Sequence, residues 1–281
     1  RQSIHLTPGS QCGFLVECSQ FDEIGLHIGT ATAFRTDSSR SYWDAQGALR
    51  LSLTAGDLAE GGIAFAGHLG SDGESGLQLS SSPILLYARL RLLPLPLGAL
   101  ARSPLRLALS YQHDLVAEPF GHNEPPSSSR GTLRLVAGQS LGRVDLDGSI
   151  GFVVAQADAT RPRLCAFDLG AVISVWLWRG VDHAPADEFR LTAEALTRFS
   201  LHQSFPSEHN LLVGFLGKSA NGYGGGAAIG TQVLDRQAAF LAVARLQISW
   251  GKKHNNPWAE RKAAEPVTTP AFIWKLLGAI D

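Results

Sequence analysis

The sequence contains no methionine, and only 17% of its 281 residues are charged. A soluble domain usually carries roughly 25%, so the shortage implies surface that does not face water. Lysine is confined to Lys218, Lys252, Lys253, Lys262 and Lys275, which leaves nearly all the positive charge on arginine. The formal net charge of -1 provides no whole-molecule attraction to a polyanion, and no basic stripe is interleaved with aromatics, so nucleic acid is not an expected partner. Also missing is any uninterrupted run of the ~20 apolar residues that a membrane helix needs. The nearest approach, LCAFDLGAVISVWLWRG at 164–180, carries Asp168 and Arg179. There is no repeat of solenoid period. A chain that starts at Arg1 without methionine is expected to be a processed product whose leader has been removed.

Cysteine is sparse. Cys12 and Cys18 lie close together in GSQCGFLVECSQ and Cys165 stands apart. The close pair suits a small disulfide loop in an oxidising compartment, and three reduced thiols are the alternative. No metal or cofactor is expected. His113, Asp114, Glu118, His122 and Glu124 fall in a Pro/Ser-rich stretch without ligand spacing. The glycine run NGYGGGAAIG is followed by neither a helix pattern nor GKS/GKT, and reads as a turn between strands rather than a phosphate loop.

What the chain has in abundance is alternation of period two, the mark of a strand with two unlike faces. In IGLHIGTATAFR, Ile24, Leu26, Ile28 and Phe34 share a row, opposite Gly25, His27, Gly29 and Arg35. RVDLDGSIGFVV sets Val144, Leu146, Ile150 and Phe152 against Arg143, Asp145, Asp147 and Ser149. FRLTAEALTRFSLH sets Phe189, Leu191 and Phe199 against Arg190, Glu194 and Arg198. Segment 164–180 divides in the same way, with Phe167, Leu169, Ile173, Val175 and Leu177 on one face and Asp168, Ser174, Trp176 and Trp178 on the other. Further rows at ALRLSLTA, GGIAFAGHL, ILLYARLRL, PLRLALSYQ, GTLRLVA, NLLVGFLG, AAIGTQVL and AFLAVARLQISW predict about twelve strands.

A soluble β-sandwich also alternates. Three features favour a membrane. Several strands run to a dozen residues or more, against 3–10 in ordinary sheets. The polar rows are rich in Gly, Ala, Ser and Arg. Connections such as AGDLAEGG and AGQSLGR are short, whereas RTDSSRSYWDAQ, GSDGESGLQLSSSP and VAEPFGHNEPPSSSRG are longer and lie at the opposite end. The whole resembles a bacterial outer-membrane β-barrel: all-β, antiparallel and up-and-down, about twelve transmembrane strands over 23–250. The resemblance implies an N-terminal arm at 1–22, with the Cys12–Cys18 loop, and a C-terminal tail at 251–281. Both would be periplasmic, with the longer loops outside. Many such barrels end on a strand with a terminal aromatic. This chain continues through a polar linker to FIWKLLGAI, where Phe272, Ile273, Trp274, Leu276 and Leu277 form an apolar partner-binding candidate.

The polar rows predict a lumen lined by Arg50, Arg89, Arg91, Arg106, Arg134, Arg143, Arg190, Arg198 and Arg245, against Asp145, Asp147, Asp168 and Glu194. A water-filled pore with that excess of positive charge would prefer anions; in a closed barrel the same charges must pair. His202, Ser204 and Asn210 in LHQSFPSEHN invite comparison with outer-membrane phospholipases, whose serine is followed by Asn-Gly. Phe205-Pro206 stands here instead, and His202 falls on the lumen row. The expected function is therefore non-enzymatic: a barrel that anchors or scaffolds an envelope assembly, embedded in outer-membrane lipid and lipopolysaccharide, its arms contacting other envelope proteins. A small anion-preferring diffusion channel is the alternative and a lipid hydrolase the third.

Overall fold

A computed structural model of the chain describes residues 14–19, 25–36, 41–55, 59–71, 77–95, 105–114, 129–156, 164–179, 188–201, 207–219, 222–234 and 237–249. The strands are β1 (Gly25–Thr36), β2 (Ser41–Ala55), β3 (Ala59–Ser71), β4 (Leu77–Leu95), β5 (Leu105–Asp114) and β6 (Ser129–Leu141). They continue with β7 (Val144–Gln156), β8 (Leu164–Arg179), β9 (Glu188–Ser200), β10 (Glu208–Lys218), β11 (Tyr223–Leu234) and β12 (Gln237–Ser249). Each pairs antiparallel with its sequence neighbours, and β1 also pairs with β12, from Gly25↔Ser249 to Phe34↔Phe240. The all-β, up-and-down expectation therefore holds. Among the described residues each strand is paired on both sides.

The burial pattern is inside out for a soluble protein. Ser52, Glu60, Arg89, Asp145, Asp168 and Arg190 are buried, whereas Leu53, Ile150, Ile173, Leu211, Val213 and Leu246 are each at least half exposed. Alternation explains both sets. In β8, Asp168, Val172, Ser174 and Trp176 point inward, and Phe167, Leu169, Ile173, Val175 and Leu177 point outward, so Leu164–Arg179 is a strand and not a helix. An outward row of Tyr111, Leu133, Phe152, Phe167 and Phe199 continues across five strands by register, every member at least 36% exposed. In water so continuous an apolar belt would drive association; in a bilayer it is the solvated face.

Several strands extend beyond their apolar alternation. Ala59–Gly62 and Ala137–Leu141, expected as connections, pair within β3 and β6, which reduces the β6–β7 connection to Gly142-Arg143. Gly142 takes φ 64° there, a conformation that favours glycine. Arg143, expected in the lumen, is exposed in this turn and does not line the wall. Ser41–Gln46 and Leu77–Ser82, expected as loop, also lie in strands. Pro83 is accommodated inside β4 because the register shifts between Phe65 and Gly67, placing the proline, which has no N–H, at a bulge. The glycine run expected as a turn is the body of β11, which pairs on both sides. Further shifts fall between Arg91 and Leu93 and between Trp176 and Trp178, so Trp178 pairs with Phe189.

Candidate functional site

The inner wall is not a ring of free arginines, because a second chain segment lies across it. Residues 14–19, expected in an arm outside the barrel, are all buried, with Phe14 at 3% exposure and Cys18 at 0%. Phe14 and Leu15 pack on Leu212, Leu216, Ala228, Leu241 and Val243 of β10–β12. Val16 meets Val172 and Leu196. Ser19 reaches Asp147 and Arg106, on β7 and β5, so the segment crosses the lumen from one wall to the opposite one.

Every turn of this segment is held by a charged wall residue. Backbone N–H groups of Phe14, Leu15 and Val16 donate to the Glu194 carboxylate at 2.6, 2.9 and 3.2 Å. Three successive N–H groups converging on one anion form a nest. Glu17 is ion-paired with Arg89, 2.9 Å from its Nε, and with Arg134, 3.7 Å from its Nη1. Arg89 also donates to the Cys18 carbonyl. Ser19 donates through its N–H and hydroxyl to Asp147 Oδ1, at 2.9 and 2.6 Å, while its oxygen accepts from Arg106 Nε at 3.0 Å.

The wall makes room where the segment passes. A Cβ on Gly138 would collide with the Asp147 carboxylate and the Ser19 hydroxyl, and one on Gly170 would lie 2.8 Å from Val16 Cγ1. The glycines are thus part of the seat, since any side chain there would occupy the space of the segment.

Beyond the segment the wall is cross-braced. Arg50 and Arg89 both bridge to Glu60, whose Oε1 also accepts from the Tyr87 hydroxyl at 3.1 Å. The Arg50 guanidinium stacks over the Tyr87 ring at 4.1 Å. Asp168 accepts two hydrogen bonds from Arg198, at 2.7 and 3.0 Å, and one from Arg134 at 3.1 Å. The Trp176 indole N–H donates to Asp145 Oδ2 at 2.6 Å. Buried charges need such pairing, because a lone ion in this interior is strongly destabilising.

Of the residues assigned to the lumen from sequence, Arg50, Arg89, Arg134, Asp145, Asp147, Asp168, Arg190, Glu194 and Arg245 are buried, and Arg91, Arg106 and Arg198 are partly so. Glu17, Ser19, Glu60, Tyr87 and Asp114 were not in that set, yet all are buried. The three added acids offset much of the expected positive excess. A signal for Glu17 was present: FLVEC is too apolar for a solvated arm. Cys12 and the tail residues Phe272, Ile273, Trp274, Leu276 and Leu277 lie outside the described residues. So do His202 and Ser204; Asn210 donates to Glu208 Oε1 at 2.8 Å. Among the described residues, no group of three or more His, Cys, Asp or Glu is placed to hold a metal.

No protein-family model and no curated protein matches the sequence. Among solved structures, an outer membrane channel from Pseudomonas putida F1 aligns over 82% of this chain and 97% of its own, at 12% identity and a TM-score of 0.51. The beta domain of the Bordetella autotransporter Brka aligns over 82% and 100%, at 12% identity and a TM-score of 0.49. LpxR from Salmonella typhimurium aligns over 80% and 100%, at 7% and 0.45. Identities this low speak to fold and not to activity. The chain is similar in fold to bacterial outer-membrane β-barrels.

Proposed function

We propose that the protein is a non-enzymatic barrel of the bacterial outer membrane that anchors or scaffolds a cell-envelope assembly, with its own N-terminal segment closing the lumen. The observation that carries this reading is the crossing of the lumen by residues 14–19, buried throughout and held from β5, β7 and β9. A diffusion channel needs a continuous aqueous path, and the segment lies across that path. The native form in this reading is a closed barrel of twelve transmembrane strands, which the β1–β12 ladder supports.

Its orientation puts both termini in the periplasm and the longer loops outside. In support, β1 starts and β12 ends at the side of the Gly142-Arg143 turn, and β5 ends and β6 starts at the other side. The outward belt faces outer-membrane lipid and lipopolysaccharide. The tail, through Phe272, Ile273, Trp274, Leu276 and Leu277, contacts another envelope protein. A Cys12–Cys18 disulfide would close a small loop that takes in Phe14–Cys18 of the lumen segment, with Cys18 fully buried at its end.

Mild detergent extraction followed by affinity isolation tests the reading, comparing the full chain with one ending at 251. The expected result is an outer-membrane protein with heat-modifiable migration that retains a stoichiometric envelope partner only when 252–281 are present. A water-soluble monomer, or the same partner content in both chains, overturns it.

A further inference from the structure

The lumen segment is held as a ligand is held. Phe14–Ser19 belong to no strand, and the barrel ladder closes from β1 to β12 without them. Residues 20–24 join Ser19 to Gly25, the first residue of β1, so the segment hangs from the end of the barrel where β1 starts. The polar contacts described above come from wall side chains, which another chain of suitable sequence would meet equally well. The wall is also paired in its own right. Arg89 bridges Glu60 and Arg134 bridges Asp168, each at 3.1 Å, so withdrawing Glu17 orphans neither guanidinium. Asp147 is attracted by Arg106 across Gly138, and Glu194 by Arg245. A buried charge stripped of its partner is strongly destabilising, yet each charge that grips the segment keeps an opposite charge in the wall when the segment leaves. A site that stands empty between occupants needs that provision.

Position by position the site reads a sequence. Three N–H groups converge on Glu194, which excludes proline from the first three places, since proline has no N–H. The first two side chains pack on Leu212, Leu216 and Leu241, and the third on Val172, so all three are apolar. The fourth lies between Arg89 and Arg134 and is an acid with the reach of glutamate. The fifth is read through its carbonyl by Arg89, and its fully buried side chain must be small. The sixth both donates to Asp147 and accepts from Arg106, as a hydroxyl does and a methyl does not.

We propose that the lumen is a peptide-binding site whose resident occupant is residues 14–19, and that its exchange ligand is a segment of another protein with the pattern apolar-apolar-apolar-Glu-small-Ser, entering from the end where β1 starts. Such a segment displaces the resident one by making the same contacts. The inference rests on the reading that residues 14–19 close the lumen, and goes beyond it by naming the chemistry that displaces them. The tether sets the threshold. A short flexible linker holds its end at an effective concentration on the order of mM, so a free peptide with identical contacts half-displaces the tethered segment only near that concentration. Once the tether is cut, that advantage is gone.

The test uses the full chain with a site-specific protease sequence inserted between Gln20 and Phe21, folded, purified in neutral detergent, and then cut and dialysed. The probe is a fluorescently labelled peptide of residues 12–20, CGFLVECSQ. Saturable binding of one peptide per cut barrel is expected, with half-saturation at least about tenfold below that of the uncut chain. A peptide carrying Glu17→Gln should bind about tenfold more weakly, having lost its ion pairs with Arg89 and Arg134. Cut barrels that bind no peptide, bind the Glu17→Gln peptide equally, or lose heat-modifiable migration as the segment leaves overturn the proposal; the last outcome would make residues 14–19 core and not ligand. If the insertion blocks folding, the unmodified chain carries the test. Half-saturation on the order of mM is then expected, and uptake that does not saturate or ignores Glu17→Gln overturns the proposal. Steady conductance from the uncut chain would defeat the closure reading, whereas a closed uncut chain that takes up no peptide once cut defeats this inference alone.

Discussion

The backbone N–H of Phe14 donates to Glu194 Oε1 at 2.6 Å, joining positions 180 residues apart. With the Leu15 and Val16 N–H groups on the same carboxylate, one side chain of β9 fixes the entry of the lumen segment. A glutamine at 194 keeps one acceptor oxygen and turns an NH2 donor towards N–H donors. Glu194→Gln should therefore destabilise the seated segment by about 2–4 kcal/mol, the scale of buried charge-assisted hydrogen bonds lost together. Cleavage at Glu17 by a glutamate-specific protease reads this directly: slow in the wild type, rapid in the variant. Equal protection in both would show that the nest does not hold the segment.

Asp168 joins β8 to β6 and β9 through Arg134 and Arg198. Asp168→Asn leaves two guanidinium groups in the wall without their carboxylate and should cost about 3–5 kcal/mol. Arg198→Gln should cost less, because Arg134 still neutralises the acid. The urea concentration at which heat-modifiable migration is lost should rank wild type, Arg198→Gln, Asp168→Asn in descending order. Coincident midpoints would contradict the pairing.

Gly138 and Gly170 face the segment, whereas a Cβ on Gly148 meets nothing nearer than the Gly170 carbonyl at 3.6 Å. Gly138→Leu and Gly170→Leu should expel residues 14–19 while leaving the strands paired; Gly148→Ala should change neither. Glu17 cleavage, measured beside heat-modifiable migration, distinguishes expulsion from unfolding. A protected Glu17 in both leucine variants would place the segment elsewhere.

Ile173 is 50% exposed near the middle of β8 and Leu201 63% exposed just past the end of β9. Ile173→Arg should destabilise the barrel in lipid by about 2–4 kcal/mol and Leu201→Arg by about 0–1 kcal/mol, the depth dependence of a charge on a lipid-facing wall. Folding titrations in lipid vesicles give both values. Similar small costs would mean that the belt around Ile173 does not face hydrocarbon.

The strands and their faces were legible because a period of two assigns Asp168, Ser174 and Trp176 to one side from sequence alone. Strand ends were harder. Ala59–Gly62 and the β11 glycines lack a greasy row, and their strand state comes from partners on either side. A bulge resets parity without a local cue, as at Trp176/Trp178. Arg143 matched the inner parity of β7 but falls one residue before the strand, in the turn. The lumen segment was hidden for a different reason. Phe14–Ser19 form no strand, and their seat is built from Glu194, Asp147, Arg89 and Arg106, residues whose convergence appears only when the barrel is folded.

Conductance across a planar bilayer tests the central claim most directly, with the full chain compared against one lacking residues 1–19. The account predicts no stable ohmic steps from the full chain and open, steady steps from the shortened one. Steady conductance from the full chain, equal to that of the shortened chain, would contradict it.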